Sequence, residues 1–285
     1  MTQQRSLLAI FAHPDDESYS VAGTLASYAA QGVDVHLICA TRGEAGLISD
    51  PSLAYRDVLG AVREDELREA CRAMGIHQPH ILGYRDSGMA GTKDNRDPLS
   101  LNMAKPEEVT GKLVYLIRQL RPDVVVTFDH QGVYGHPDHV AICNHATKAF
   151  QVAGDPTSYP EQIRSSIGPH APQRLFYVAI PHSSVEALSK AIPKEEDEPE
   201  DEEINPADIG TPDDAVTVVM DISPLYEAKR RAIASHRTQQ RPTDFFNRLP
   251  EDVRREFFSK EHFSQALPSL EEGTRYADLF EGLGS

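Results

Sequence analysis

The sequence predicts an α/β fold, a mostly parallel sheet with helices on both faces. Short continuous apolar runs, such as 7–12 and 124–128, have the pattern of strands covered on both sides. Longer segments between them space their apolar residues as helices do. Glycines and prolines stand at the joints, as at Gly32, Gly75, Pro106 and Pro122.

The elements follow in order. Leu7 to Ala12 is a first strand, and Ser18 to Gln31 a helix closed by Gly32. Val33 to Ala40 is a second strand. Ala54 to Met74 is a long helix with Val58, Ala61, Val62, Leu67, Ala70 and Met74 as its apolar positions, ended by Gly75. His80 to Tyr84 is a third strand and Pro106 to Leu120 a helix. Pro122 to Phe128 holds a fourth strand, and Asp138 to Phe150 a helix. Leu175 to Ile180 and Ala215 to Met220 are later strands, and Pro224 to Thr238 is a helix rich in Lys and Arg. A ligand in such a fold sits beyond the carboxyl ends of the strands.

The 285 residues are expected to form a single domain, residues 1–285. A balance of 40% apolar and 25% charged residues is that of a globular chain. The net charge of −16 argues against a nucleic-acid surface. Residues 193–214 hold eleven acids and one lysine, a net of −10, so the acidity belongs to one insertion. Its core, Glu195 to Glu203, is expected to be solvated and mobile, since like charges repel and nothing there can be buried. No secretion signal and no run of about 18 apolar residues is present, which predicts no membrane span. Cys39, Cys71 and Cys143 are scattered, as buried thiols in a reducing cytoplasm would be.

Two echoes carry the chemistry: His13-Pro14-Asp15-Asp16 and His136-Pro137-Asp138-His139. Each follows an apolar run and stands where a strand hands over to a helix. Proline suits the first helical position, and residues i and i+3 share a side. His13 and Asp16 can therefore converge on one point, as can His136 and His139. A catalytic zinc takes three protein ligands and keeps one open position. Four candidates for three places leave one over for chemistry, and Asp15 is aimed differently, as suits a base. An Asp at a helix N-terminus is often only a cap, so the weight lies on the repetition. No Gly-x-Ser-x-Gly elbow and no phosphate loop is present. His36, His77, His80, His145, His170, His182 and His262 have no partner spacing and read as structural or exposed.

These residues resemble the signature of the PIG-L/LmbE-like N-acetylglucosaminyl deacetylases. The likeness covers most of the chain. Thr41 to Gly46 is similar to the family's loop after the second strand, Arg63-Glu64 to its helix signature, and Lys229 to Gln239 to its C-terminal helix. Leu82 to Met89 resembles the branch that acts in mycothiol metabolism. The resemblance implies a Rossmann-like fold and a cytoplasmic zinc-dependent N-deacetylase, with other divalent metals such as Fe2+ as alternatives. It implies His13, Asp16 and His139 as metal ligands and Asp15 as general base. His136 would stabilise the oxyanion, and Tyr134 matches a mobile tyrosine that polarises the carbonyl. Glu44, Arg63 and Asp86 match positions that contact the sugar and its neighbour. The implied partner is a small N-acetylated sugar, and family members often form homo-oligomers.

Other readings share the motifs. An amidase that cleaves a mycothiol-type or other thiol conjugate would use the same metal chemistry with a different pocket. A non-catalytic sugar-binding domain would not need Asp15. A nucleotide-binding protein of this fold would need Gly-x-Gly-x-x-Gly after the first strand, where His13-Pro14-Asp15 stands instead.

Overall fold

The computed structural model describes residues 4–164, 167–191 and 209–284. Its centre is a seven-stranded sheet in the order β3-β2-β1-β4-β5-β7-β6. The strands are β1 (Ser6–Phe11), β2 (Asp34–Thr41), β3 (His80–Tyr84), β4 (Val124–Thr127), β5 (Arg174–Ala179), β6 (Val218–Asp221) and β7 (Lys260–Leu267). The first five run parallel, and β7 is antiparallel to both of its neighbours. Every residue from Leu7 to Ala12 is fully buried, as the apolar run predicts.

The chain moves outward from β1 to β3, then jumps back to β4 and continues to β5. Right-handed crossovers then place the helices of the two halves on opposite faces. Helices α2 (Ala22–Ala30) and α3 (Leu59–Met74) pack with α7 (Tyr226–Ser235), whereas α4 (Pro106–Leu120) packs with α5 (Pro137–Val152). The order reverses between β1 and β4, which opens a crevice at their carboxyl ends.

The predicted helix from Ser18 is in fact two. Asp16–Ser20 forms α1, and Val21 leaves helical geometry (φ −141°) before α2 begins. The long helix begins at Leu59 rather than Ala54, after a 3-10 turn, and Tyr226–Ser235 has such turns at both ends. Strand β7 was not legible in its polar sequence. Its Glu261 is buried and accepts from the amides of Gly23 (2.9 Å) and Thr24 (2.7 Å) and from Lys229 Nζ (2.6 Å). One carboxylate thus caps the start of α2 and pairs with α7. Two further helices, α6 (His182–Ala191) and α8 (Glu251–Phe258), complete the body. Most of the acidic insertion, including Glu195 to Glu203, lies outside the described residues. No helix among the described residues is long and apolar enough to cross a membrane.

Candidate metal centre and active site

Both histidine motifs meet at the β1/β4 crevice. His13 stands two residues after β1 ends, and His136 caps α5 nine residues after β4 ends. His13 Nδ1 lies 3.2 Å from His139 Nε2 and 3.5 Å from the Asp16 carboxylate. His139 Nε2 lies 3.3 Å from Asp16 Oδ1. Ligands about 2.1 Å from a tetrahedral metal are separated from one another by about 3.4 Å. The two nitrogens and the Asp16 carboxylate are thus spaced as ligands of one tetrahedral ion would be, with the His13 edge running to Oδ2 and the His139 edge to Oδ1.

Hydrogen bonds orient these atoms. His13 Nε2 faces Asp138 Oδ2 at 3.1 Å and Asp86 Oδ1 at 3.5 Å. A proton held there leaves the lone pair on Nδ1. His139 Nδ1 faces the Gly132 carbonyl at 3.2 Å, which leaves the lone pair on Nε2. Asp16 Oδ2 accepts from the backbone amides of Ala12 (3.2 Å) and His13 (2.7 Å), which anchors the carboxylate, and Oδ1 faces His139. Burial by itself would lower His13, but Asp86, Asp138 and Asp16 together hold it well above the usual histidine range. So acidic a pocket favours a cation.

His136 has a different place. Its Nδ1 accepts from the Asp138 amide at 3.2 Å, so a neutral ring carries its proton on Nε2. Burial, with His13 and His139 nearby, pushes its pKa down to about 4, and the ring is neutral at pH 7. A nitrogen of its ring nevertheless lies within 4.8 Å of nitrogens of His13 and His139, so the three imidazoles form one group that could hold an ion. His13, Asp86 and Asp138 also cluster closely. Asp138 also accepts from the Ser87 amide (2.9 Å) and hydroxyl, and Asp86 from the amides of Gly88 (2.8 Å) and Ala45 (3.2 Å), so both carboxylates are tied to the protein around them.

Asp15 adopts φ 116°, a conformation rare outside glycine. Arg63 Nη2 holds its carboxylate at 3.0 Å and also donates to the Pro14 carbonyl, while Nη1 donates to Gly43 O at 2.9 Å. A Cβ on Gly43 would stand 2.1 Å from that guanidinium, so glycine is needed there. Burial raises Asp15 to about 6, with Arg63 opposing it, which places a base near neutral pH. Asp15, Asp16, Tyr134 and His139 line a cavity of about 350 Å3, walled by Tyr19, Phe246, Phe257 and Phe258. Tyr134 is 55% exposed, on a tight turn in which Val133 takes φ 64°.

The three expected sugar contacts are placed unequally. Arg63 is 3% and Asp86 4% exposed; Asp86 gives both oxygens and Arg63 both Nη atoms to protein groups, while Arg63 Nε is buried without a partner among the described residues. They support Asp15 and His13. Glu44 is half-buried, with Oε2 accepting the Asp86 amide at 3.0 Å. Sequence reasoning missed Asp138, Ser87 and Gly132 as supports. The Asp in the second motif was a signal for the first of these. It also left His36 and His77 without partners, whereas both face Asp34.

Comparison with known proteins fits this site. Residues 8–150 match the family model described as PIG-L, GlcNAc-PI de-N-acetylase. A 1D-myo-inositol 2-acetamido-2-deoxy-alpha-D-glucopyranoside deacetylase 2 of Catenulispora acidiphila is 36% identical, covering 99% of this chain and 98% of its own. The corresponding deacetylase of Rhodococcus jostii is 35% identical, covering 99% of each chain. Among solved structures, the N,N'-diacetylchitobiose deacetylase of Pyrococcus horikoshii has a TM-score of 0.64 at 22% identity, covering 92% of this chain and 84% of its own. GalB, a 4-carboxy-2-hydroxymuconate hydratase of Pseudomonas putida, has a TM-score of 0.62 at 16% identity, covering 94% and 99%. One fold thus carries two reactions, and the chemistry must be argued from the site.

Proposed function

The chain belongs to the PIG-L family of GlcNAc-PI de-N-acetylases, and from that premise we propose that it is a metal-dependent hydrolase that deacetylates an N-acetylglucosamine derivative bearing a polar aglycone such as an inositol. The observation that carries this is the convergence of His13 Nδ1, His139 Nε2 and the Asp16 carboxylate, with Asp15 on the same cavity. Two imidazoles and a carboxylate suit Zn2+, and Fe2+ as well. When bound, such a cation supplies Lewis-acid polarisation of the amide carbonyl and makes water more acidic.

The chain's own residues do the rest. Asp15 accepts the proton of the attacking water and returns it to the leaving amine nitrogen. Arg63 fixes that carboxylate in place. His136 donates its Nε2 proton to the oxygen that gains charge, and Tyr134, at the cavity mouth, adds a hydroxyl. Removing one such donor costs on the order of 100- to 1,000-fold in kcat. Glu44 keeps surface to meet a sugar hydroxyl. Free, buried Cys39, Cys71 and Cys143 fit a reducing, cytoplasmic setting.

A second reading rests on the aromatic wall of Tyr19, Phe246, Phe257 and Phe258, which leaves more room than an acetyl group fills. In it the same centre hydrolyses a larger amide of the same amino sugar, such as a thiol conjugate.

The test is metal analysis joined to amine release. The chelator-stripped protein should be inactive and recover with Zn2+ or Fe2+. It should release amine from N-acetylglucosaminyl-inositol faster than from acetyl-lysine peptides. Asp15→Asn should keep its metal and lose most of kcat. Metal loss in that variant, or equal rates on peptide and sugar, would defeat the proposal.

A further inference from the structure

We propose a second cation site, distinct from the His13 centre, formed by Asp34, His36 and His77 with His80 beside them, which takes a borderline-soft divalent ion such as Zn2+. It lies at the amino ends of β2 and β3, whereas the His13 centre lies at the carboxyl ends. Along β2, from Asp34 to Thr41 at about 3.3 Å per residue, the two are on the order of 20 Å apart.

The strand geometry builds the site. Asp34 and His36 are i and i+2 on β2, so their side chains share a face. His80 opens β3 opposite Ile38 and falls on that same face. His77 sits in the turn between α3 and β3, tied down by its amide to Val35 O at 3.2 Å. The chain leaves α3 at Gly75, where a positive φ of 74° ends the helix and turns His77 back over β2.

The donor atoms converge. His77 Nε2 is 2.5 Å from Asp34 Oδ1, and His36 Nε2 is 3.1 Å from Asp34 Oδ2. The His36 and His77 rings stack at 4.5 Å with 8° between their planes, and the His80 ring lies 6.3 Å from His36. One carboxylate oxygen and two imidazole nitrogens lie within 4.8 Å of one another, and a tilt of the exposed His77 ring out of the stack brings both nitrogens onto one ion. His36 Nδ1 is buried without a hydrogen-bond partner among the described residues, so Asp34 is what orients that ring. Burial holds His36 below the usual histidine range against the opposing pull of Asp34, and burial with the neighbouring imidazoles does the same at His80. Nitrogen-rich donors with one carboxylate favour Zn2+, Co2+ or Ni2+ over Mg2+ or Ca2+.

The site is open. Side-chain exposure is 58% at His77 and 38% at Asp34. A bound ion would clip the α3–β3 turn to β2, and metal that binds only the folded state raises the melting temperature.

The test strips the full chain with a chelator, dialyses it against Zn2+ and counts bound metal by elemental analysis. His77→Ala alters an exposed ring, and circular dichroism verifies its fold. It should bind a whole metal equivalent fewer than the parent, with the deacetylation rate unchanged. Zn2+ should still raise the melting temperature of His139→Ala, and this shift should vanish in His139→Ala/His77→Ala. Equal stoichiometry in the parent and His77→Ala overturns the proposal, whatever the His13 centre binds.

Discussion

Asp138 Oδ2 lies 3.1 Å from His13 Nε2, so the aspartate of the second motif holds the histidine of the first. The two motifs are one device. Asp138 is fully buried, and its oxygens also take the Ser87 amide and hydroxyl. A carboxylate behind a metal-binding imidazole fixes its tautomer and raises its basicity.

The first prediction follows from that contact. Asp138→Ala should weaken metal affinity about 10- to 100-fold. Asp138→Asn keeps an acceptor without the charge and should fall between the two. Chelator competition gives the affinities. Unchanged metal binding in Asp138→Ala would mean that His13 is oriented by something else.

The second concerns Arg63 and pH. Burial raises Asp15 to about 6, and Arg63 opposes that rise. Arg63→Gln removes the opposing charge, so the Asp15 pKa should climb further. A general base works ionised, so activity is lost as pH falls through its pKa. The acid limb of the kcat/KM profile should therefore move to higher pH in Arg63→Gln. A limb that stays in place, with only the rate reduced, would show that Arg63 acts on position alone.

Much of this was legible in the sequence, for a physical reason. Strands β1 and β4 are buried on both faces and are spelled as unbroken apolar runs, so the crevice between them and both histidine motifs could be placed. Strand β7 could not, because its sequence is polar and only partly buried, and the charge of its buried Glu261 is matched by Lys229 from another element. The same limit applies at the site. His13, Asp16, His136 and His139 announce themselves by spacing, with the resemblance implying which three are ligands, whereas Ser87, Gly132 and the inward turn of Arg63 and Asp86 exist only once distant segments meet. His36 and His77 lie far apart in sequence, and only the turn after Gly75 brings them to one carboxylate.

The third prediction tests Gly132. It takes φ 64°, and an added Cβ would stand 2.8 Å from His139 Cβ and 2.9 Å from the Val140 amide. Its carbonyl also orients His139. Gly132→Ala should cost about 1–3 kcal/mol of stability from backbone strain and weaken metal binding in parallel. Urea unfolding of the metal-free protein separates the two effects. Full stability and full metal affinity together would remove Gly132 from the site's scaffold.

The last prediction is a pH dependence of stability that arises behind the base. His236 is fully buried, with Nε2 2.9 Å from Glu17 Oε1, and the other Glu17 oxygen accepts the Asp15 amide at 3.1 Å. Burial by itself would lower this imidazole, but Glu17 and Asp15 outweigh it and raise the pKa above the usual value. A folded pKa above the unfolded one means that the protonated ring stabilises the fold. This contribution is fully present below about pH 6.5, the unfolded value. It fades as pH rises from there through the raised folded value. His236→Gln cannot gain a proton and leaves Glu17 buried without a cation, a change that commonly costs about 3–5 kcal/mol. The stability gap between the parent and His236→Gln should thus be widest in mildly acidic buffer and should narrow in alkaline buffer. Urea midpoints across that range measure it. A gap that is flat or widens as pH rises would mean that His236 is neutral in the folded protein and only hydrogen-bonds to Glu17.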